Sequence, residues 1–332
     1  MKVGIDMGTT SQGDLATMDL EELLATRLLV QGNSGSGKSH LLRRLLEQSA
    51  PWVQQAVIDP EGDFVTLAEV FGHVFIEAAD YRDAALQQLG SRVRQHRVSV
   101  VLNLENHETE MQMRAAAAFL GGLFDTERDY WYPMLVVVDE AQLFAPAVAG
   151  EVTDEARKAS LGAMTNLMCR GRKRGLAGVI ATQRLAKLAK NVAAEASNFL
   201  MGRTFLDIDM ARAADLLGME RRQADAFRDL QRGHFMALGP AIARRPLNIR
   251  IGDSQTQPRA MNARLLPLPG TLPEEARALL FKPCEIEPPR PVERRPPPAA
   301  LEAETLRRIA QSRPAPEPET PAAEREAIFV QV

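Results

Sequence analysis

The sequence predicts an α/β fold with a mainly parallel central sheet flanked by helices. Three observations lead there. Short β-branched runs alternate with longer helical stretches. The runs are apolar at nearly every position, as in strands covered on both faces, which gives a three-layer sandwich. A glycine-rich loop also joins one such run to one such helix.

In chain order, residues 27–31, 55–59, 74–76, 98–104, 134–139 and 177–182 read as strands. Residues 38–48, 82–95, 108–124 and 154–174 read as helices, and an acidic helix-like segment covers 18–25. There is no internal repeat at a period of roughly 20–50 residues, so a solenoid is excluded. The composition changes near residue 253, since fifteen of the 21 prolines lie beyond it. Proline fixes φ and lacks a donor, so this stretch builds neither a sheet nor a long helix. The expected division is therefore a folded domain over 1–252 and a Pro-rich extended or disordered arm over 253–332, with one short helix around 299–311.

Bulk properties narrow the function classes. At 332 residues, the chain has length for one large domain or two modest ones. With 45% hydrophobic and 25% charged residues, it is an ordinary globular composition and not a disordered one. No apolar run approaches the ~18 residues of a membrane span, and no signal-peptide pattern opens the chain, so a cytoplasmic location is expected. Cys169 and Cys284 are too few for a disulfide framework or zinc knuckle. A net charge of −3 means that nucleic-acid binding would need a local patch.

The sharpest chemical signal is Gly32-Asn33-Ser34-Gly35-Ser36-Gly37-Lys38-Ser39, a complete G-x-x-x-x-G-K-[ST] between a strand and a helix. Such a loop curls main-chain N–H groups around a β-phosphate at a helix N-terminus. Lys38 is expected to neutralise the β- and γ-phosphates of ATP, and the Ser39 hydroxyl to ligate Mg²⁺. The fold expected is a RecA-like P-loop NTPase. A second phosphate-loop pattern, Val3 to Thr10, is similar to the first loop of actin-like ATPases, but the strand runs downstream of Gly32 belong to a P-loop architecture. It reads as a first strand and turn.

Met134 to Val138 form an apolar strand tipped by Asp139 and Glu140. Asp139 is expected to support the metal through water, and Glu140 to polarise the attacking water, which points to hydrolysis as well as binding. Gln183 ends the next strand, where an amide can touch a γ-phosphate. From 156 to 194 there is no acid but nine cations: Arg157, Lys158, Arg170, Arg172, Lys173, Arg174, Arg184, Lys187 and Lys190. Such a run is a solvated face, a source of a trans-acting arginine finger among Arg170, Arg172 and Arg174, or a phosphodiester contact through Lys187 and Lys190.

Taken in order, these motifs resemble the HerA/FtsK superfamily of ring-forming ATPases, and its HerA branch most. The segments are GNSGSGKS, Ile58-Asp59-Pro60-Glu61-Gly62-Asp63-Phe64, VVVDEAQ and RGRKRGLAGVIATQR, then NFLMGRTF, the helix at 209–217 and LQRGHF. The resemblance covers roughly 19–252. It implies a homo-oligomer, typically a hexamer, that translocates duplex DNA, with an effector such as a nuclease as partner. It assigns ATP–Mg²⁺ binding to Lys38 and Ser39, metal support to Asp139, catalysis to Glu140 and sensing to Gln183. Asp59 and Glu61 would line the same cleft. Only some thirty residues precede the P-loop, so the N-terminal β-barrel of HerA is not expected. Two other functions remain open on the sequence: a coupling ATPase of conjugation or secretion, and an ATP-dependent switch controlling a partner. No helix-turn-helix or zinc-finger pattern suggests base-specific reading.

Overall fold

The computed structural model describes residues 3–257. The strands are β1 Gly4–Thr10, β2 Leu15–Asp19, β3 Leu28–Gln31, β4 Gln54–Asp59, β5 Val74–Glu77, β6 Val100–Asn103, β7 Met134–Val138, β8 Leu176–Thr182, β9 Asn198–Met201, β10 His234–Gly239 and β11 Ala243–Ile251. The helices are α1 Leu20–Thr26, α2 Lys38–Ser49, α3 Thr66–Phe71, α4 Asp83–Gln95, α5 Thr109–Asp125, α6 Asp154–Thr165, α7 Lys190–Ala193 and α8 Asp207–Leu217. All eleven strands share one sheet in the order β2-β1-β11-β10-β9-β3-β8-β7-β4-β6-β5. From β9 to β5 the pairing is parallel. From β9 outward through β10, β11, β1 and β2 it is antiparallel.

Alternate residues of each central strand feed opposite faces, as a period of two requires. Leu29, Val136 and Val138 join one core with Phe119 and Leu123 of α5. Leu28, Val30, Leu135 and Val137 join the other with Leu41, Leu42, Leu45 and Leu46 of α2. Those four leucines are fully buried. Each contributes about 1.5–3 kcal/mol on burial, well above the few tenths of a kcal/mol that separate ordinary helix propensities. Packing therefore decides where α2 lies, and the N-terminus of α2 anchors the end of the glycine loop.

The six expected strands and the flanking helices form where the periodicity places them, within a residue or two. Three details differ. The segment at 18–25 is not one helix: β2 runs to Asp19, whose side chain accepts from Glu22 N at 3.0 Å and starts α1 at Leu20. The helix expected over 154–174 stops at Thr165 and continues as a wide turn, Asn166–Arg170, and a tight one, Gly171–Arg174. Gly175 then takes φ 75°, where an added Cβ would lie 2.7 Å from the carbonyls of Trp131 and Tyr132. The chain must unwind there to enter β8. Strands β9, β10 and β11 have no counterpart among the expected strands. β9 is only four residues long, β10 alternates half-buried and buried positions, and β11 carries exposed arginines and a proline in place of an apolar run.

Among the described residues, no helix is long and apolar enough to cross a membrane. The Pro-rich arm and the helix around 299–311 lie outside the described residues from 258 onward. Residues 253–257 rest against α2, where the Glu47 carboxylate accepts from Gln255 N, Thr256 N and Thr256 Oγ1 at 2.6–2.8 Å.

Candidate nucleotide site

The site lies at the carboxyl ends of the parallel strands, where open α/β sheets place their ligands. β3 ends at Gln31, and the loop from Gly32 to Gly37 turns into α2. Main-chain bonds brace this loop on both sides. Gly32 N donates to Thr182 O at 3.2 Å, and Asn33 N to Arg203 O at 2.9 Å. Gly37 adopts φ 102°, with Gly233 N only 3.1 Å from where a Cβ would sit. A glycine is required there on both grounds. Two polar atoms of the loop, Asn33 Oδ1 and Ser36 Oγ, are buried without a hydrogen-bond partner.

Lys38 opens α2 and is 6% exposed, its Nζ 3.3 Å from Glu140 Oε1. Glu140 comes after Asp139 off the end of β7 with φ 45°, a left-handed conformation unusual for a side-chain-bearing residue. Its Oε1 accepts from Gln183 Nε2 at 2.8 Å, and its Oε2 from Gln142 Nε2 at 2.5 Å. Asp139 Oδ1 accepts the Glu140 main-chain N–H at 2.9 Å. Burial, reinforced by the negative charge of Glu140, raises the Asp139 carboxyl well above the ordinary range.

The second-strand motif divides into two roles. Asp59 is fully buried and accepts main-chain N–H groups from Glu61, Asp63 and Phe64. Burial still pushes it up to about 6 against those bonds. It therefore folds the turn, while Glu61 lines the cleft. Burial, then the charges of Glu140 and Asp63, raise Glu61 as well. Arg43 of α2 clamps the same turn, donating to Asp63 O and Thr66 Oγ1 and lying 5.3 Å from the Phe64 ring centroid.

The resulting cleft is about 610 Å³ and includes Lys38, Ser39, Glu61, Glu140 and Gln183. Its far wall, Arg232 and Arg250, comes from the β10–β11 hairpin and was missed from the sequence. The only signal was the LQRGHF segment, which carries Arg232. The cleft presents the carboxylates of Glu61 and Glu140, with the buried Asp139 beside Glu140. Such oxygen donors suit a hard divalent cation. No three His, Cys, Asp or Glu side chains among the described residues are grouped to hold one alone. Ser39 and Asp139 offer a hydroxyl and a carboxylate, the oxygen donors that a Mg²⁺ ion sharing phosphate and water ligands would take.

The three finger candidates are not brought to this cleft. They precede β8, whereas Gln183 comes after it, and seven strand residues span roughly 23 Å. Arg174 donates to Phe124 O and lies 3.9 Å from the Phe124 ring centroid and 5.3 Å from that of Trp131. Arg170 donates to Asn166 Oδ1. Arg172 is exposed. Elsewhere in the basic stretch, Arg157 pairs with Asp154 and Arg184 with Asp209.

The sequence from 24 to 173 matches the family model of an AAA domain, spanning both the glycine loop and the Asp139-Glu140 strand tip. The chain carries a P-loop ATPase domain. Among solved structures, this ATPase domain is similar to VirB4 of Thermoanaerobacter pseudethanolicus, at 13% identity and a TM-score of 0.57. That alignment covers 76% of this chain and 97% of the other. The bacterial conjugative coupling protein TrwBdeltaN70 aligns at 10% identity and a TM-score of 0.54, covering 74% and 89%. At such identities, the likeness is one of fold. No curated protein sequence matches the chain.

Proposed function

We propose that this P-loop ATPase hydrolyses ATP as the motor subunit of a homo-oligomeric ring, of HerA type, that translocates duplex DNA. The observation that carries the hydrolytic reading is the meeting of Lys38 and Gln183 on the carboxylate of Glu140, with Glu140 and Gln183 coming from the tips of two different strands. A buried, hydrogen-bonded carboxylate beside the phosphate lysine supplies the base that water activation needs.

Lys38 and the N-terminal N–H groups of α2 hold the β- and γ-phosphates. Mg²⁺, held by Ser39 and through water by Asp139, would neutralise phosphate charge. Glu140 takes the proton of the attacking water, and its hydrogen bonds from Gln183 and Gln142 orient it. As ATP arrives, Lys38 exchanges its carboxylate partner for phosphate and so frees one side of Glu140. Gln183, already on Glu140, is placed to report the γ-phosphate. Because Arg170, Arg172 and Arg174 lie at the opposite end of β8, a finger from this segment serves a neighbouring copy, and exposed Arg172 is the best placed. Lys187 and Lys190 are the candidate DNA contacts, and an effector enzyme is the expected partner.

A second reading, a coupling ATPase of conjugation or secretion, is favoured by the likeness to VirB4 and to a conjugative coupling protein. Steady-state ATP hydrolysis with and without linear duplex DNA separates the two. The motor reading expects strong stimulation by DNA that weakens steeply with salt and is lost in Lys38→Ala and Glu140→Gln. Hydrolysis indifferent to DNA would overturn it and leave the coupling ATPase ahead.

A further inference from the structure

The geometry points to Gln142 as a positioning residue for Glu140, acting together with Thr182; this rests on the ATPase reading above. Both ends of the Gln142 carboxamide are engaged. Its Nε2 donates to Glu140 Oε2 at 2.5 Å, and its Oε1 accepts from Thr182 Oγ1 at 2.6 Å. A carboxylate only accepts, whereas a hydroxyl also donates, so the amide has one satisfactory orientation in this setting.

Thr182 is the last residue of β8 and directly precedes Gln183, which holds the other oxygen of Glu140 at 2.8 Å. The carboxylate is thus gripped by two amides, and both refer its position to the tip of one strand. Lys38, the third group on this carboxylate, belongs to α2 and not to that strand. Glu140 sits off the end of β7 at φ 45°, outside any ladder, and the terminal torsion of a glutamate is broad. Proton transfer needs hydrogen-bond reach to the water, and a misplacement near 1 Å costs on the order of 100-fold in rate.

The main chain is fixed independently, since Ala141 N donates to Ala181 O at 2.8 Å. Gln142 also borders a second cavity of about 880 Å³, beside Arg184 and Lys187. A change of its side chain therefore has room and leaves the strand tip in place.

The test is steady-state ATPase kinetics on the full chain, with separate titration of a non-hydrolysable ATP analogue and a thermal melt for each variant. Gln142→Leu is expected to lower kcat about 10- to 100-fold with KM and analogue affinity within about twofold. Thr182→Val should do likewise, and Thr182→Ser should recover most of that loss by restoring the hydroxyl. The double variant should be no slower than the slower single one, because the two side chains act as one unit. A kcat for Gln142→Leu within about twofold of wild type, a loss carried by KM, or losses that multiply in the double variant would overturn the assignment. If the wild type hydrolyses and Glu140→Gln does not, while Gln142→Leu is unaffected, this inference alone falls. If the wild type does not hydrolyse ATP at all, both fall.

Discussion

The main-chain N–H of Gly233 donates to the carbonyl of Ser36 at 2.8 Å, joining the start of the β10–β11 hairpin to the heart of the glycine loop. On the other flank, Gly32 donates to Thr182 at the end of β8. The phosphate loop is therefore held between the parallel and antiparallel halves of one sheet, and its shape does not depend on its own residues alone.

Gly37→Ala tests that bracing. The added methyl would meet Gly233 and force a side-chain-bearing residue into φ 102°. The strain is about 1–2 kcal/mol, before any shift of the hairpin. A lower melting temperature and at least about tenfold weaker ATP binding, by calorimetry or fluorescence, are the expected result.

Lys38→Ala and Glu140→Gln should separate binding from chemistry. Lys38→Ala removes the phosphate cation and strands the Glu140 carboxylate, so ATP affinity falls. Glu140→Gln keeps the volume but loses the base. ATP should still bind, while turnover drops about 100- to 10,000-fold. Equal loss of affinity in both would contradict the roles assigned.

Asp59→Asn addresses the turn beneath the cleft. The native carboxyl titrates near 6 against an ordinary value of 3.8, so the folded state binds the proton more tightly than the unfolded one. Its ionisation therefore opposes folding. The wild type should lose stability as pH rises through roughly 4 to 6, by an amount on the order of 3 kcal/mol, and the variant should not show that component. Chemical denaturation at several pH values, without nucleotide or metal, reads the difference in slope.

Arg172→Ala and Arg174→Ala should fail differently. Arg174 is spent on Phe124 and Trp131, and its loss is expected to cost about 1–3 kcal/mol of stability. Arg172 is exposed, so Arg172→Ala should melt like the wild type. As a finger it should lower turnover of the assembled oligomer by about 1,000-fold or more. A normal rate for Arg172→Ala would remove it from the site.

Much of the fold was legible because its signals are local. Up to their polar tips, Asp139 and Thr182, the runs at 134–139 and 177–182 are apolar throughout, as a strand buried on both faces requires. The glycine loop announces itself for the same reason, since main chain can wrap a phosphate only with glycine at set positions. By contrast, β11 carries exposed arginines and a proline, β10 buries only every second residue of a six-residue stretch, and they become strands because β9 and β1 offer edges to pair with.

For the site itself, sequence determined the chemistry available: a phosphate lysine, a hydroxyl, two acids at a strand tip and an amide at the next. Tertiary structure decided their relations. It put Asp59 under the turn and Glu61 in the cleft, turned Arg174 inward, brought Arg232 and Arg250 across, and closed Gln142 and Thr182 around Glu140. Local spacing specifies which groups a strand end presents. Which of them touch depends on the order in which strands lie side by side, and that order is set by packing across the whole sheet.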